Sequence, residues 1–304
     1  MKLPPTHTLR YDSFRLMDVQ VDETVISIET PVEERGRIDA WNDLRRSDAD
    51  RLILLRDTGP DTAMVVSNGE HQSILLSDEA QLVALSKNEK ILIDITALPH
   101  HIWAPIFQSF IKAGKKVRAL YVEPDGYKTH PSPASANLFD LSISFGGLSP
   151  LPGFAKLSGP SDDEPALFVA FLGFEGNRAE RIINQLEPPP RVIPIVGAPG
   201  FQINYPAITV ACNRAFLGDF DCNSDIRLAK ASCPFEAYEA LASIRRDFPD
   251  HYLYIAPVGT RPHALGAIRY AIANESHCEI LFDHPVRQSN RTNGRGIIHV
   301  FSFI

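Results

Sequence analysis

The 304 residues include four cysteines, Cys212, Cys222, Cys233 and Cys278, with no Cys-x-x-Cys pair and no histidines at zinc-finger spacing. This argues against a disulfide framework and against a metal site, and reads the four as free thiols that behave as small apolar residues in a reducing compartment. No apolar run approaches the roughly 18 residues needed to cross a bilayer, and the Met1-Lys2-Leu3-Pro4-Pro5 start lacks the apolar core of a secretion signal. A cytoplasmic protein with no membrane contact is therefore expected. Positive charge is also scarce: the formal net charge is −7, so no global field draws the chain to nucleic acid, and a small molecule is the default partner. A Walker loop, a complete Gly-x-Gly-x-x-Gly and a Gly-x-Ser-x-Gly are absent, which argues against ATPase, dehydrogenase and serine-hydrolase readings. No cofactor is expected.

What is present is an ordinary folded composition, with 44% hydrophobic and 22% charged residues, and a length that suits one large domain or two moderate ones. Residues 1–87 read as a small N-terminal β-rich element. Three apolar runs begin at Leu52, Ala63 and Ser73, and Asn68-Gly69 is a strong hairpin signal between the last two. Whether this element stands alone or edges a larger sheet is open at this level. From residue 88 to 304 apolar strands alternate with helix-period segments, which predicts an α/β fold: a Rossmann-like, mainly parallel sheet with helices on both faces. Its strands begin at Ile91, Val117, Ala166, Val192, Tyr252 and Glu279. Residues 129–160 are rich in Pro, Ser and Gly and read as a long irregular insertion, either a lid or a crossover loop.

The most informative segment is Gly259-Thr260-Arg261-Pro262-His263, between a strand and a helix. Thr260 can cap the helix and Pro262 fits its first turn. Helix N-termini attract anions through free N–H groups, Gly259 would admit a phosphate near the backbone, and Arg261 adds a bidentate donor. A plain capped helix is the alternative. Gly173-Phe174-Glu175-Gly176-Asn177-Arg178 has the same placement. There Asn177 or Arg178 would reach a ligand, and Glu175 would hold a ribose hydroxyl, act as a base, or simply be solvated in a turn. Thr96, Glu123, Gly173, Gly197, Gly259 and Asp283 each follow a predicted strand, and they share one rim if those strands are parallel. His100 and His101 begin one helix and His263 another, so a histidine acid or base in the cleft is a further candidate.

The segment Gly259-Thr260-Arg261-Pro262-His263 resembles the Gly-Thr-Lys-x-Met stretch of CRISPR-associated Rossmann-fold (CARF) sensors and the related SAVED domains, which bind cyclic oligonucleotide messengers in prokaryotic antiviral defence. Arg261 and His263 depart from the Lys and Met of that stretch. The resemblance implies phosphate contacts from Gly259, Thr260 and Arg261, Thr96 beside the ligand, a homodimer, and a separate effector protein, because no recognisable effector follows in this chain. The reading is thus a sensor for a phosphate-bearing small molecule of nucleotide type, with Gly173 and Asn177 completing the site. The alternative is a hydrolase acting on a nucleotide or glycosidic bond, with Glu175 or His263 as acid or base. A third reading is a scaffold that docks a partner through residues 129–160.

Overall fold

The computed structural model describes residues 7–67, 70–134, 137–156, 159–161 and 164–303. In chain order, the first half runs β1 (His7–Tyr11), β2 (Glu23–Ile28), α1 (Asp39–Ser47), β3 (Leu52–Asp57), β4 (Thr62–Ser67), β5 (Glu70–Leu75), α2 (Glu79–Ala84), β6 (Lys90–Asp94), α3 (His100–Lys112) and β7 (Lys116–Val122). Next come β8 (Gly126–Tyr127), β9 (Thr129–Ala134), β10 (Asn137–Phe139), β11 (Ser142–Phe145), β12 (Ala166–Phe171), α4 (Asn177–Ile183) and β13 (Arg191–Gly197). The chain continues through α5 (Tyr205–Cys212), α6 (Arg214–Asp219), β14 (Arg227–Ala229), α7 (Pro234–Asp247), β15 (Tyr252–Ala256), α8 (Arg261–Ala273) and β16 (Cys278–Ile280). The last strands are β17 (Pro285–Arg287), β18 (Thr292–Asn293) and β19 (Ile298–Phe303). These elements gather into two compact units, Met1–Gly126 with Thr292–Ile304, and Tyr127–Arg291.

The first unit is built on one eight-stranded sheet in the order β1-β19-β7-β6-β2-β3-β4-β5. Its four central strands, β7, β6, β2 and β3, are parallel, whereas the pairs at both edges are antiparallel. Alternate side chains of a strand face opposite sides of the sheet. Accordingly Leu92, Leu120, Val122 and Val300 pack with Trp41 and Leu44 of α1 in one core. On the other side the ring of Phe303 meets Phe107 of α3 at 5.1 Å. Fully burying each such side chain stabilises the fold by roughly 1.5–3 kcal/mol.

The second unit carries a five-stranded, wholly parallel sheet in the order β14-β13-β12-β15-β16. Phe168, Ala170 and Leu172 pack on one face with Ala179, Ile182 and Ile183 at α4 and with Phe216 and Leu217 of α6. Phe171 points to the other face, where its ring lies 5.2 Å from that of His263 on α8. Helices therefore cover both faces of this sheet.

Two expectations are corrected. The chain is not one mainly parallel sheet with a small N-terminal β-rich element: the N-terminal strands belong to a mixed eight-stranded sheet, and the all-parallel sheet is a separate one. Of the runs predicted at Leu52, Ala63 and Ser73, the first is the central strand β3, parallel to β2, and the other two are the antiparallel outer strands β4 and β5; β5 and β6, on either side of residue 87, both lie in the same sheet. The cause is long-range pairing: β19 inserts antiparallel between β1 and β7, a placement that local periodicity does not encode. Asn68 and Gly69 lie outside the described residues, although Ser67 and Glu70 pair across them. The segment 129–160 is not irregular throughout, since β9 pairs with β10 and β11 pairs with β17. Pro105 lies inside an unbroken α3.

Candidate functional site

In the second unit the chain visits β12, then β13 and β14 on one side, then β15 and β16 on the other. Strand order therefore reverses between β12 and β15, and in open parallel sheets ligands bind outside the carboxyl ends of the strands at such a reversal. The turns that leave these two strands are the two glycine turns singled out from sequence, Gly173 to Gly176 before α4, and Gly259 to Thr260 before α8.

The turns press against each other. A Cβ on Gly259 would stand 2.8 Å from the Leu172 carbonyl oxygen, and one on Gly173 would stand 2.9 Å from the Val258 carbonyl oxygen. Glycine is needed at both positions for this backbone approach. Gly176 is held in the same way by the Cys212 carbonyl, and Asn213 donates to the Gly173 carbonyl at 2.7 Å and to the Thr209 carbonyl at 2.8 Å. The end of α5 thereby clamps the β12 turn.

At the start of α8, Thr260 is the cap residue, as its sequence position indicated. Its hydroxyl oxygen accepts from the His263 N–H at 3.3 Å and donates to the Ala231 carbonyl at 2.7 Å. Pro262 has no N–H, so the first turn of α8 offers fewer bare donors than a helix start with a free amide at every position. Just before the helix, the N–H groups of Gly259 and Thr260 make no hydrogen bond among the described residues, and both residues are half-buried. Arg261 is buried at the first helical position.

The remaining candidates occupy varied surroundings. Arg178 is buried, grips Asp283 through Nε at 2.8 Å and Nη2 at 2.5 Å, and donates to the Val258 carbonyl at 3.2 Å. Glu175 lies 3.5 Å from the same guanidinium, so its carboxylate already has a cationic neighbour. That network joins the ends of β12, β15 and β16, a structural task for a residue that sequence offered as a ligand contact. Asn177 is exposed at the first position of α4.

His263 is fully buried, with Nε2 at 3.1 Å from the Lys230 carbonyl and Nδ1 without a partner among the described residues. Burial lowers its pKa to about 4, against the weaker opposing effect of the backbone carbonyls, so the ring is neutral near pH 7. An acid or base must reach its substrate, and this ring sits under the helix start.

Thr96 belongs to the first unit, just beyond the end of β6 in the other sheet. It is buried, accepts the Val122 N–H at 2.8 Å and donates to the Leu120 carbonyl at 3.5 Å, so its side chain holds β7 in place. Glu123 also ends a strand of the first sheet and bonds His299 at 2.6 Å. The single shared rim expected from sequence is thus two rims, one in each unit.

Sequence reasoning passed over an aromatic group on the second rim. Phe174, in the β12 turn, lies 5.1 Å from Tyr205, 5.3 Å from Tyr127 and 4.8 Å from Phe139, measured between ring centroids. One signal was present: no charged residue occurs between residues 197 and 213, although this stretch follows a strand and opens a helix. Among the described residues no cluster of three or more His, Cys, Asp or Glu could hold a metal ion, and no helix is long and apolar enough to cross a membrane. All four cysteines are free thiols. The sequence matches no known protein-family model, and no curated protein matches it.

Proposed function

We propose that the second unit binds a phosphate-bearing small molecule of nucleotide type where its strand order reverses, and acts as a sensor for it. The observation that carries this reading is the pair of adjoining turns at the ends of β12 and β15, with the unengaged N–H groups of Gly259 and Thr260 ahead of α8. Backbone N–H groups at a helix entrance favour negative charge whatever the side chains nearby. The likeness of residues 259–263 to the sensor loop of the CARF and SAVED families supports a nucleotide, including a cyclic oligonucleotide of antiviral defence. It also supports signalling through a separate effector from a homodimer in the cytoplasm.

Binding without turnover fits the side chains better than catalysis does. Glu175 neighbours Arg178, and His263 is buried and neutral. The test is thermal unfolding of the full chain with a panel of nucleotides, together with mass spectrometry of small molecules released from the purified protein. A ligand that binds only the native state raises the melting temperature. Replacing Thr260 and Arg261 together by Ala removes most of that shift. If the double variant keeps the full shift, the ligand binds elsewhere.

A further inference from the structure

Rings that only seal a core are buried, and the second unit has several of that kind: Phe168, Phe171 and Phe216 are each 1% exposed or less. The group around Phe174 differs. Phe174, Tyr127 and Phe139 are half-buried, and only Tyr205 is buried. Phe174 and Tyr205 stand on the turn after β12 and the start of α5, while Tyr127 and Phe139 flank the β9–β10 hairpin. The rings meet at 41° for Phe139 with Phe174, and near perpendicular for Phe174 with Tyr127 and Tyr205. Two of these pairs are edge-to-face and one is tilted, and the array sits on half-buried residues beside the Gly173 turn.

The charged neighbours of these rings in the chain are paired with one another or with Arg178, Lys128 with Asp140 at 3.6 Å and Glu175 with Arg178 at 3.5 Å, and two amides stand beside them in sequence. Asn177 follows Phe174 by three residues, Asn204 precedes Tyr205, and both side chains are exposed. An amide presents a donor and an acceptor together, the complement of a base edge, and aromatic rings stack bases of any sequence. The absence of charge from residue 197 to 213 suits a neutral heterocycle and leaves the anionic part of a ligand to the Gly259 turn.

We propose that Phe174, with Tyr127, Phe139 and Tyr205 around it, is a stacking platform for the base of a nucleoside or nucleotide, with Asn177 and Asn204 reading the base edge. This rests on the assignment of the rim as a nucleotide site and names the part of the ligand that lies over the β12 turn. The competing account is that the rings only fasten the hairpin to the rim.

Equilibrium binding of adenosine, AMP and ribose 5-phosphate to the full chain separates these accounts, using the wild type, Phe174→Leu and Asn204→Ala. The platform requires that adenosine binds without any phosphate. It also requires that Phe174→Leu weakens adenosine and AMP by about 5- to 100-fold while ribose 5-phosphate binding is unchanged. Asn204→Ala alters an exposed side chain, so it keeps the wild-type melting temperature and still weakens adenosine. That second variant decides the matter if Phe174→Leu unfolds. Binding of ribose 5-phosphate without adenosine overturns the platform and leaves the anion site standing. Adenosine binding that depends on Phe174, with AMP no tighter, supports the platform and removes the anion site. Absence of binding by all three overturns both.

Discussion

Each unit contains a run of parallel strands whose order reverses, and the two reversals are built in opposite ways. In the first unit the reversal falls between β2 and β6, and it is closed by side chains. Asp94, fully buried at the end of β6, accepts hydrogen bonds from Ser27 at 2.9 Å, Trp41 at 3.3 Å, and the N–H groups of Thr96 at 3.0 Å and Ala97 at 3.2 Å. In the second unit the same place is lined by glycine turns, and N–H groups lack partners among the described residues. Unclaimed backbone donors leave a topological crevice available to a ligand, whereas a buried carboxylate that claims them turns it into core.

The largest effect that would sharpen this contrast belongs to Asp94. Asp94→Ala strands three buried donors, each worth about 1–3 kcal/mol when unsatisfied, and the half-buried Ala97 N–H, and is expected to destabilise the first unit by roughly 3–5 kcal/mol in urea titrations. A loss under about 1 kcal/mol would mean that the closed crevice is not closed by Asp94. Desolvation raises the Asp94 pKa above the ordinary carboxylate range despite its four donors. A carboxyl raised in the folded state contributes stability that is full below its unfolded value and fades as pH rises through the folded one. Asp94→Asn should therefore cost less than Asp94→Ala and flatten that part of the pH profile.

His263 comes next. Its folded pKa of about 4 lies below the unfolded value of about 6.5, so between those values the unfolded chain binds more protons. Stability from the neutral ring is full above about pH 6.5 and is lost as pH falls toward 4, by roughly 3 kcal/mol in all. In His263→Gln the melting temperature should change less between pH 7 and pH 4.5 than in the wild type. An undiminished change would assign the loss to other groups. Gly259→Ala follows, because its methyl group meets the Leu172 carbonyl; a cost of roughly 1–3 kcal/mol and loss of any nucleotide-induced shift are expected. The smallest effect is Thr260→Ala, about 1 kcal/mol for the lost cap, with Thr260→Ser close to wild type.

The three central strands of the second sheet were legible because β12, β13 and β15 are apolar runs that end at Gly173, Gly197 and Pro257, whereas the edge strand β14, Arg227–Ala229, carries a charge and was not legible. β2 was harder to see: it opens with Glu23, a buried carboxylate that pairs with Arg118 of β7 at 2.5 Å, so its charge looks like solvent exposure until the partner is in place. The closing strand β19 is an apolar run in sequence, but its insertion between β1 and β7 depends on partners more than a hundred residues distant. At the site, Thr260 as a cap and the placement of both glycine turns followed from local chemistry. The reason for the glycines did not, because one turn leaning on the other is a contact between segments about 85 residues apart. Phe174 lay inside a motif whose polar members drew the functional reading, and its ring partners come from three other segments.

The most direct test is an amide NMR titration of the full chain, labelled at glycine and threonine, with AMP. Shifts at Gly259 and Thr260 that saturate together, while Thr96 stays fixed because its N–H is already held by Asp94, are the expected result. Saturating AMP that leaves Gly259 and Thr260 unmoved, or that moves Thr96 instead, would contradict an open crevice in the second unit and a closed one in the first.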